Sequence, residues 1–257
     1  MKTYEAGYIL DANILFDGIY ELVIKTKIAE CAMPGQFVMV YPQNSSTLLP
    51  RPISICEVLK EKEAIRLVYR VVGKGTKEFS ELSEGKIIKL LGPIGNGFPL
   101  DKAKGKKAIL IGGGIGVPPI LELSKALKDE NPIALLGYRD SNMFLKDDFD
   151  KYVKTVIATE DGSAGITGNV CDALNDLDLP CDVIFACGPM PMLQALKRYA
   201  EAKNIPAYIS LEERMACGVG ACLGCVCKTV KKDGHSHVNN ARVCTEGPVF
   251  EASEVEI

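Results

Sequence analysis

Residues 108–119 read Ala-Ile-Leu-Ile-Gly-Gly-Gly-Ile-Gly-Val-Pro-Pro. The apolar run suits a strand buried on both faces, Gly112-Gly113-Gly114-Ile115-Gly116 turns the chain, and Ile120, Leu123, Ser124 and Leu127 predict a helix over 119–128. The same rhythm continues with strands at 133–136, 153–158 and 183–186, a helix at 190–200 and a strand at 207–211. Strand–helix alternation at this spacing means a parallel sheet with helices on both faces. The glycine run is not G-x-G-x-x-G, because Val117 stands where the last glycine belongs, and no clear acidic residue closes the second strand. Its position still matters, since ligands of parallel sheets bind beyond the carboxyl ends of the strands. Gly113, Gly114 and Gly116 fall there, and so does a second small-residue turn, Cys187-Gly188-Pro189. Two such loops on one edge make a slot for a flat dinucleotide, and the Gly-Pro step predicts a sharp turn that exposes Cys187.

Upstream the rhythm is different. Runs at 20–25, 36–41, 53–55, 65–72 and 87–91 are short, β-branched and punctuated by Pro34-Gly35, Pro42, Pro50 and Gly73, which argues for a small antiparallel β-barrel. Arg51-Pro52-Ile53-Ser54 enters one strand, where a guanidinium offers a bidentate clamp for a diphosphate and Ser54 presents a hydroxyl to a ring. Gly73-Lys74-Gly75-Thr76 precedes a helical stretch at 77–82; Thr76 is a natural N-cap, and the glycines admit an anion to the helix N-terminus. A barrel with both features makes a flavin dinucleotide the economical ligand, with Tyr69 on the intervening strand as a ring or adenine contact.

Downstream, Cys217-Gly-Val-Gly-Ala-Cys222-Leu-Gly-Cys225, followed by Cys244, has the C-x4-C-x2-C…C spacing of a plant-type [2Fe–2S] cluster. Glycines at 218, 220 and 224 permit the tight turns that wrap thiolates round a small inorganic core and aim N–H groups at its sulfurs. Zinc could take four thiolates, but its structural sites usually pair two C-x2–4-C knuckles, and the distal half here has one cysteine. The spacing favours Cys225 over Cys227 as ligand, leaving Cys227 a buried free thiol on the other side of a strand. His235 and His237 stand in a polar stretch and read as a solvated hairpin rather than a Rieske-type ligand pair.

Composition bounds the rest. With 47% hydrophobic residues in 257, the chain can bury enough surface to fold, and 30 Lys+Arg against 33 Asp+Glu gives no electrostatic case for nucleic acid or anionic lipid. No apolar run approaches the ~20 residues of a membrane helix. The opening Met1-Lys2-Thr3-Tyr4-Glu5 lacks a secretory pattern, so the expected compartment is the cytoplasm. Ten cysteines in a reducing compartment read as metal ligands and core thiols rather than a disulfide framework.

Arg51-Pro52-Ile53-Ser54, residues 112–119 and Cys187-Gly188-Pro189, in this order, resemble the ferredoxin–NAD(P) reductase superfamily. Residues 92–98, 211–218 and 244–250 are similar to the electron-transfer subunits of B-type dihydroorotate dehydrogenases. The resemblance implies a multi-domain chain: a β-barrel holding FAD (1–101), an α/β domain for NAD(H) (102–210) and a small [2Fe–2S] domain (211–257). It carries FAD contacts to Arg51, Pro52, Ile53, Ser54, Val68, Tyr69, Arg70, Gly75 and Thr76, and cluster ligation to Cys217, Cys222, Cys225 and Cys244. It implies an FMN-containing catalytic subunit as partner, two of each forming a heterotetramer that serves de novo pyrimidine synthesis. Flavin exchanges a hydride with NAD(H) and passes single electrons to a cluster, so no side-chain acid or base is expected in the slow step. Arg139-Asp140-Ser141 offers both charge signs and leaves NADH against NADPH open. The alternatives are an electron-transfer subunit of another oxidoreductase complex and a zinc-stabilised adaptor.

Overall fold

The computed structural model describes residues 2–44, 47–177, 179–232 and 237–257. The hairpin expected at Asp233, Gly234 and His235 lies outside the described residues.

Six strands, β1 (Thr3–Phe16), β2 (Ile19–Lys25), β3 (Phe37–Tyr41), β4 (Arg51–Leu59), β5 (Ala64–Arg70) and β6 (Ile87–Ile94), close into a barrel in the order β1-β2-β5-β4-β3-β6. Every neighbouring pair is antiparallel. Alternate residues such as Leu22, Ile24, Val38, Val40, Ile65 and Leu67 fill the interior, as the period of a strand requires. The sequence runs match β2, β3, β5 and β6, whereas β1 has no counterpart among them. Its apolar residues alternate with exposed Tyr4, Tyr8 and Ile14, and Gly7 interrupts it because Ile24 crosses where a side chain would stand. Helix α1 (Lys74–Phe79) begins earlier than the expected 77–82.

Beyond Ala103 the chain builds β7 (Ala108–Gly113), α2 (Val117–Ala126), β8 (Ile133–Tyr138), α3 (Lys146–Phe149), β9 (Lys154–Thr159), β10 (Ile166–Thr167), α4 (Val170–Leu177), β11 (Val183–Cys187), α5 (Met190–Lys203) and β12 (Ala207–Ser210). After a hairpin of β13 (Val226–Lys228) and β14 (Asn240–Arg242), β15 (Val249–Glu251) returns to this sheet. The order is β10-β9-β8-β7-β11-β12-β15, parallel except for β15, which runs antiparallel to β12. Side chains of β7 alternate between two cores: Ile109 and Ile111 join Leu193 and Leu196 of α5, while Ala108 and Leu110 join Ile120 and Leu123 of α2. The α5-side core also takes in Met39 and Phe37 of the barrel and Val243, Cys225 and Cys244 of the tail. All three regions therefore share buried surface. No described helix is long and apolar enough to cross a membrane.

Candidate functional site

Two cavities meet in the cleft between barrel and sheet. The first, of about 830 Å³, is walled by Arg51, Pro52, Ile53 and Ser54 at the start of β4, by Val68, Tyr69 and Arg70 at the end of β5, and by Thr76. Opposite stand residues 211–215 and Pro248. The Arg51 guanidinium is set by its surroundings: Nη1 donates to the Leu49 carbonyl at 2.7 Å, and the plane lies across Gly75, where a Cβ would come within 2.8 Å of Nε. Gly75 thus shapes the site by making room for the arginine. Tyr69 lines this cavity with its ring stacked on Tyr20 and edge-on to Phe79, 6.2 Å from each. Among the described residues its hydroxyl is buried without a partner, and burial, with Tyr20 nearby, pushes its pKa up. An orphaned donor beside a fixed guanidinium fork, in a cavity of this size, fits a flavin dinucleotide.

Thr76 is corrected. The N-cap of α1 is Gly73, and Thr76 is the third helical residue. Its hydroxyl turns back to accept from the Val72 and Gly73 N–H groups at 3.0 and 3.2 Å. The helix starts at Lys74, so Thr76 falls inside its first turn and caps from there.

The second cavity, of about 610 Å³, lies along the carboxyl ends of the parallel strands. Gly113 ends β7 and Gly114 and Ile115 follow it, Arg139 and Asp140 follow β8, Glu160 follows β9, and Gly188 and Pro189 follow β11. The glycine loops interlock, because a Cβ on Gly116 would meet the Cys187 carbonyl oxygen at 2.4 Å and one on Gly188 would meet Met192 Cε at 2.3 Å. Where these loops line the slot, Gly113, Gly114 and Gly188 present bare backbone to it, which suits a dinucleotide. Cys187 is also corrected: the turn after it does not expose it. It is 1% accessible at the end of a strand buried along its whole length, and burial raises its thiol, with Glu212 adding to the effect.

Arg70, Ile115 and Glu212 line both cavities. Arg70 reaches from the barrel to within 4.0 Å of the point where a side chain on Gly114 would begin. Glu212 faces the cleft yet is hemmed in enough that desolvation raises its pKa. The sequence reading assigned no role to Ile115 or Glu212; the only signal for Glu212 was its place in the family-like stretch 211–218.

Against β3 and β6 of the barrel, the tail brings its cysteines together in two pairs. Cys217 lies beside Cys222, and Cys225 beside Cys244. Two pairs suit a two-iron core, each iron taking two of the four thiolates. Val219 N–H points at Cys217 Sγ and Gly224 N–H at Cys222 Sγ, each at 3.4 Å. Burial raises the Cys217 thiol, but the N–H groups of Val219, Cys222 and Ala221 outweigh it and bring it down to about 6. Positive φ at Gly218, Gly220 and Leu223 makes these turns. Arg242 clasps the loop, donating to the Gly220 carbonyl at 3.2 Å while its fork pairs with Glu246. Cys227 alternates away from Val226 and Lys228 into the core, and burial raises its pKa. The donor set fits a [2Fe–2S] cluster.

A family profile described as "Iron-sulfur cluster binding domain of dihydroorotate dehydrogenase B" matches residues 212–256. Proteins from Bacillus cereus and Bacillus anthracis named "Dihydroorotate dehydrogenase B (NAD(+)), electron transfer subunit" are 44% identical over 245 residues, 92% of this chain and 92% of theirs. Among solved structures, an NADH-dependent reduced ferredoxin-NADP oxidoreductase superposes with a TM-score of 0.86 at 26% identity, covering 97% of this chain and 89% of that one. A ferredoxin NADP+ reductase from Neisseria gonorrhoeae, with bound FAD and NADP, shares the fold at 14% identity, with a TM-score of 0.65 over 77% of this chain and 91% of that one. With that identity along nearly its whole length, the chain belongs to the family of dihydroorotate dehydrogenase B electron transfer subunits.

Proposed function

We propose that this chain carries reducing equivalents between NAD(H) and an FMN-containing catalytic subunit that interconverts dihydroorotate and orotate. Two of each would form a cytoplasmic heterotetramer in pyrimidine synthesis. Residues 1–101 hold FAD, 102–210 hold NAD(H) and 211–257 hold the cluster. The observation that carries this reading is the meeting of the two cavities at Arg70, Ile115 and Glu212, which lets two long cofactors touch end to end. A bound flavin supplies the exchange between hydride and single-electron chemistry that an iron–sulfur partner needs.

The protein's own residues bind and orient. Arg51 holds a diphosphate, Tyr69 donates its hydroxyl, and Ser54 stands at the inner wall opposite Phe37, its partner in the β3–β4 ladder. Gly113, Gly114 and Gly116 with Gly188 and Pro189 keep the second slot narrow, and Cys187 acts through its backbone, which Gly116 contacts. Cys217, Cys222, Cys225 and Cys244 ligate the cluster, with the loop N–H groups offsetting their charge.

The test is anaerobic purification followed by spectroscopy. The expected protein is yellow-brown, contains flavin with iron and acid-labile sulfide, and bleaches on adding NADH. A colourless protein with tightly held zinc overturns the reading.

A further inference from the structure

In β4, pairing with β5 shifts between Ile55 and Glu57, making Cys56 the extra residue of a bulge. Bulges bend a strand and re-aim its side chains. Cys56, 0% exposed, packs in the α2-side core of the sheet region, and the bulge turns Glu57 outward beside it before Val58 returns to the barrel interior. Two residues on, α2 takes hold of the strand's backbone. The Val58 N–H donates to Glu122 Oε2 at 2.8 Å, and Lys125 Nζ donates to the Val58 carbonyl at 2.8 Å. Both polar groups of one barrel peptide position are thus held by side chains one turn apart on a helix of the other region. Charges close round this grip: Lys125 reaches Glu57 at 3.2 Å, the Tyr152 hydroxyl donates to Glu57 at 3.0 Å, and Arg66 of β5 bridges Glu57 at 3.5 Å and Asp148 of α3 at 2.8 Å. Arg66 also pairs with Glu21 of β2.

The two gripped elements are those that begin at the two cavities. β4 starts with Arg51-Pro52-Ile53-Ser54, and α2 starts directly after the Gly113–Gly116 turn. We propose that Glu122 and Lys125 are positioning residues that set the distance and angle between the flavin-side and nicotinamide-side cavities. The inference rests on the functional reading above. From Val58 to Ser54 the strand spans about 13 Å at ~3.3 Å per residue, so a tilt of about 5° at the grip moves Ser54 by about 1 Å. A misplacement of about 1 Å between reacting groups can cost on the order of 100-fold in rate. A grip on backbone from both sides resists such a tilt better than side-chain packing alone.

The experiment uses the full chain loaded with its flavin and compares Glu122→Ala, Glu122→Gln and Lys125→Met. Anaerobic stopped-flow reads the bleaching rate per bound flavin against NADH concentration. Glu122→Ala should lower the rate at saturating NADH by about tenfold or more, with the half-saturating concentration changed by less than about twofold. Glu122→Gln, whose amide oxygen still accepts from Val58, should keep most of the rate. In chain stripped of flavin, amide exchange at Val58 should quicken in Glu122→Ala. A rate per flavin equal to wild type overturns the proposal, even if flavin content or Tm falls, since that is the signature of a merely structural contact. Unchanged Val58 exchange, or a Glu122→Gln that falls as far as Glu122→Ala, overturns it as well. If Glu122→Ala fails to fold, Lys125→Met is read by the same split and the same limits. A wild-type flavin that NADH cannot bleach would sink the functional reading instead.

Discussion

The bare face of Gly218 is turned onto Met39. A Cβ there would lie 2.7 Å from Met39 Cγ and 3.1 Å from Ile94 Cδ1, and Gly218 holds a φ of +67°. The first turn of the thiol loop is therefore pressed against β3 and β6 of the barrel. Gly218→Ala should lift the loop at a cost of about 1–2 kcal/mol from the left-handed backbone alone, before the overlap. Iron and acid-labile sulfide should fall well below wild type while flavin stays bound, as measured by elemental and flavin analysis on the same sample.

The thiol pairing makes a sharper contrast. Cys244→Ser should abolish the cluster's visible and paramagnetic spectra yet leave flavin absorbance. Cys227→Ala should leave both, because Cys227 points into the core and away from the pairs. Loss of the cluster in Cys227→Ala would reassign the ligands.

Arg51 and Gly75 should behave as one unit at the flavin cavity. Arg51→Ala removes the guanidinium, and Gly75→Ala pushes it aside by placing a methyl within 2.8 Å of its Nε. Both should lose flavin on gel filtration, by roughly tenfold or more in affinity if one charged bidentate contact of about 1.5–3 kcal/mol is lost. The double variant should be little worse than either single one.

Asp148 carries a prediction for acid. Burial raises its carboxyl, but hydrogen bonds from Lys151 and Arg66 outweigh that and leave its pKa lowered. A depressed folded pKa stabilises above the unfolded value, about 3.9, and that contribution disappears as pH falls through the folded value. Asp148→Asn should therefore cost on the order of 2 kcal/mol at neutral pH, with the gap from wild type closing in acid. Urea unfolding across that range measures it, and a pH-independent gap would refute the pairing.

Much of this architecture was legible from residue order. The β7 run and its glycine turn announced the parallel sheet, and the cysteine spacing announced four thiols that the fold brings together in pairs. What escaped depends on long-range packing. β1 owes its place to pairing with β2 and β6 rather than to its own broken pattern. The burial of Cys187 follows from β12 pairing beside it at Ser210 and the Gly116 turn closing on its carbonyl, and no local signal reports neighbours that distant in sequence. Glu212 belongs to the site because β12 ends between two cavities, a fact of topology. Thr76 misled because an N-cap residue and one at the third helical position look alike until the helix start is located.

One edge strand of the sheet, β15, comes after the fourth thiol in sequence and pairs antiparallel with β12. The iron-binding segment is thus sewn into its neighbour by a stitch at each end and is no detachable cartridge. A chimaera that exchanged everything after Ser210 would have to import a matching edge strand, or leave a raw hydrogen-bonding border on the host and invite it to aggregate.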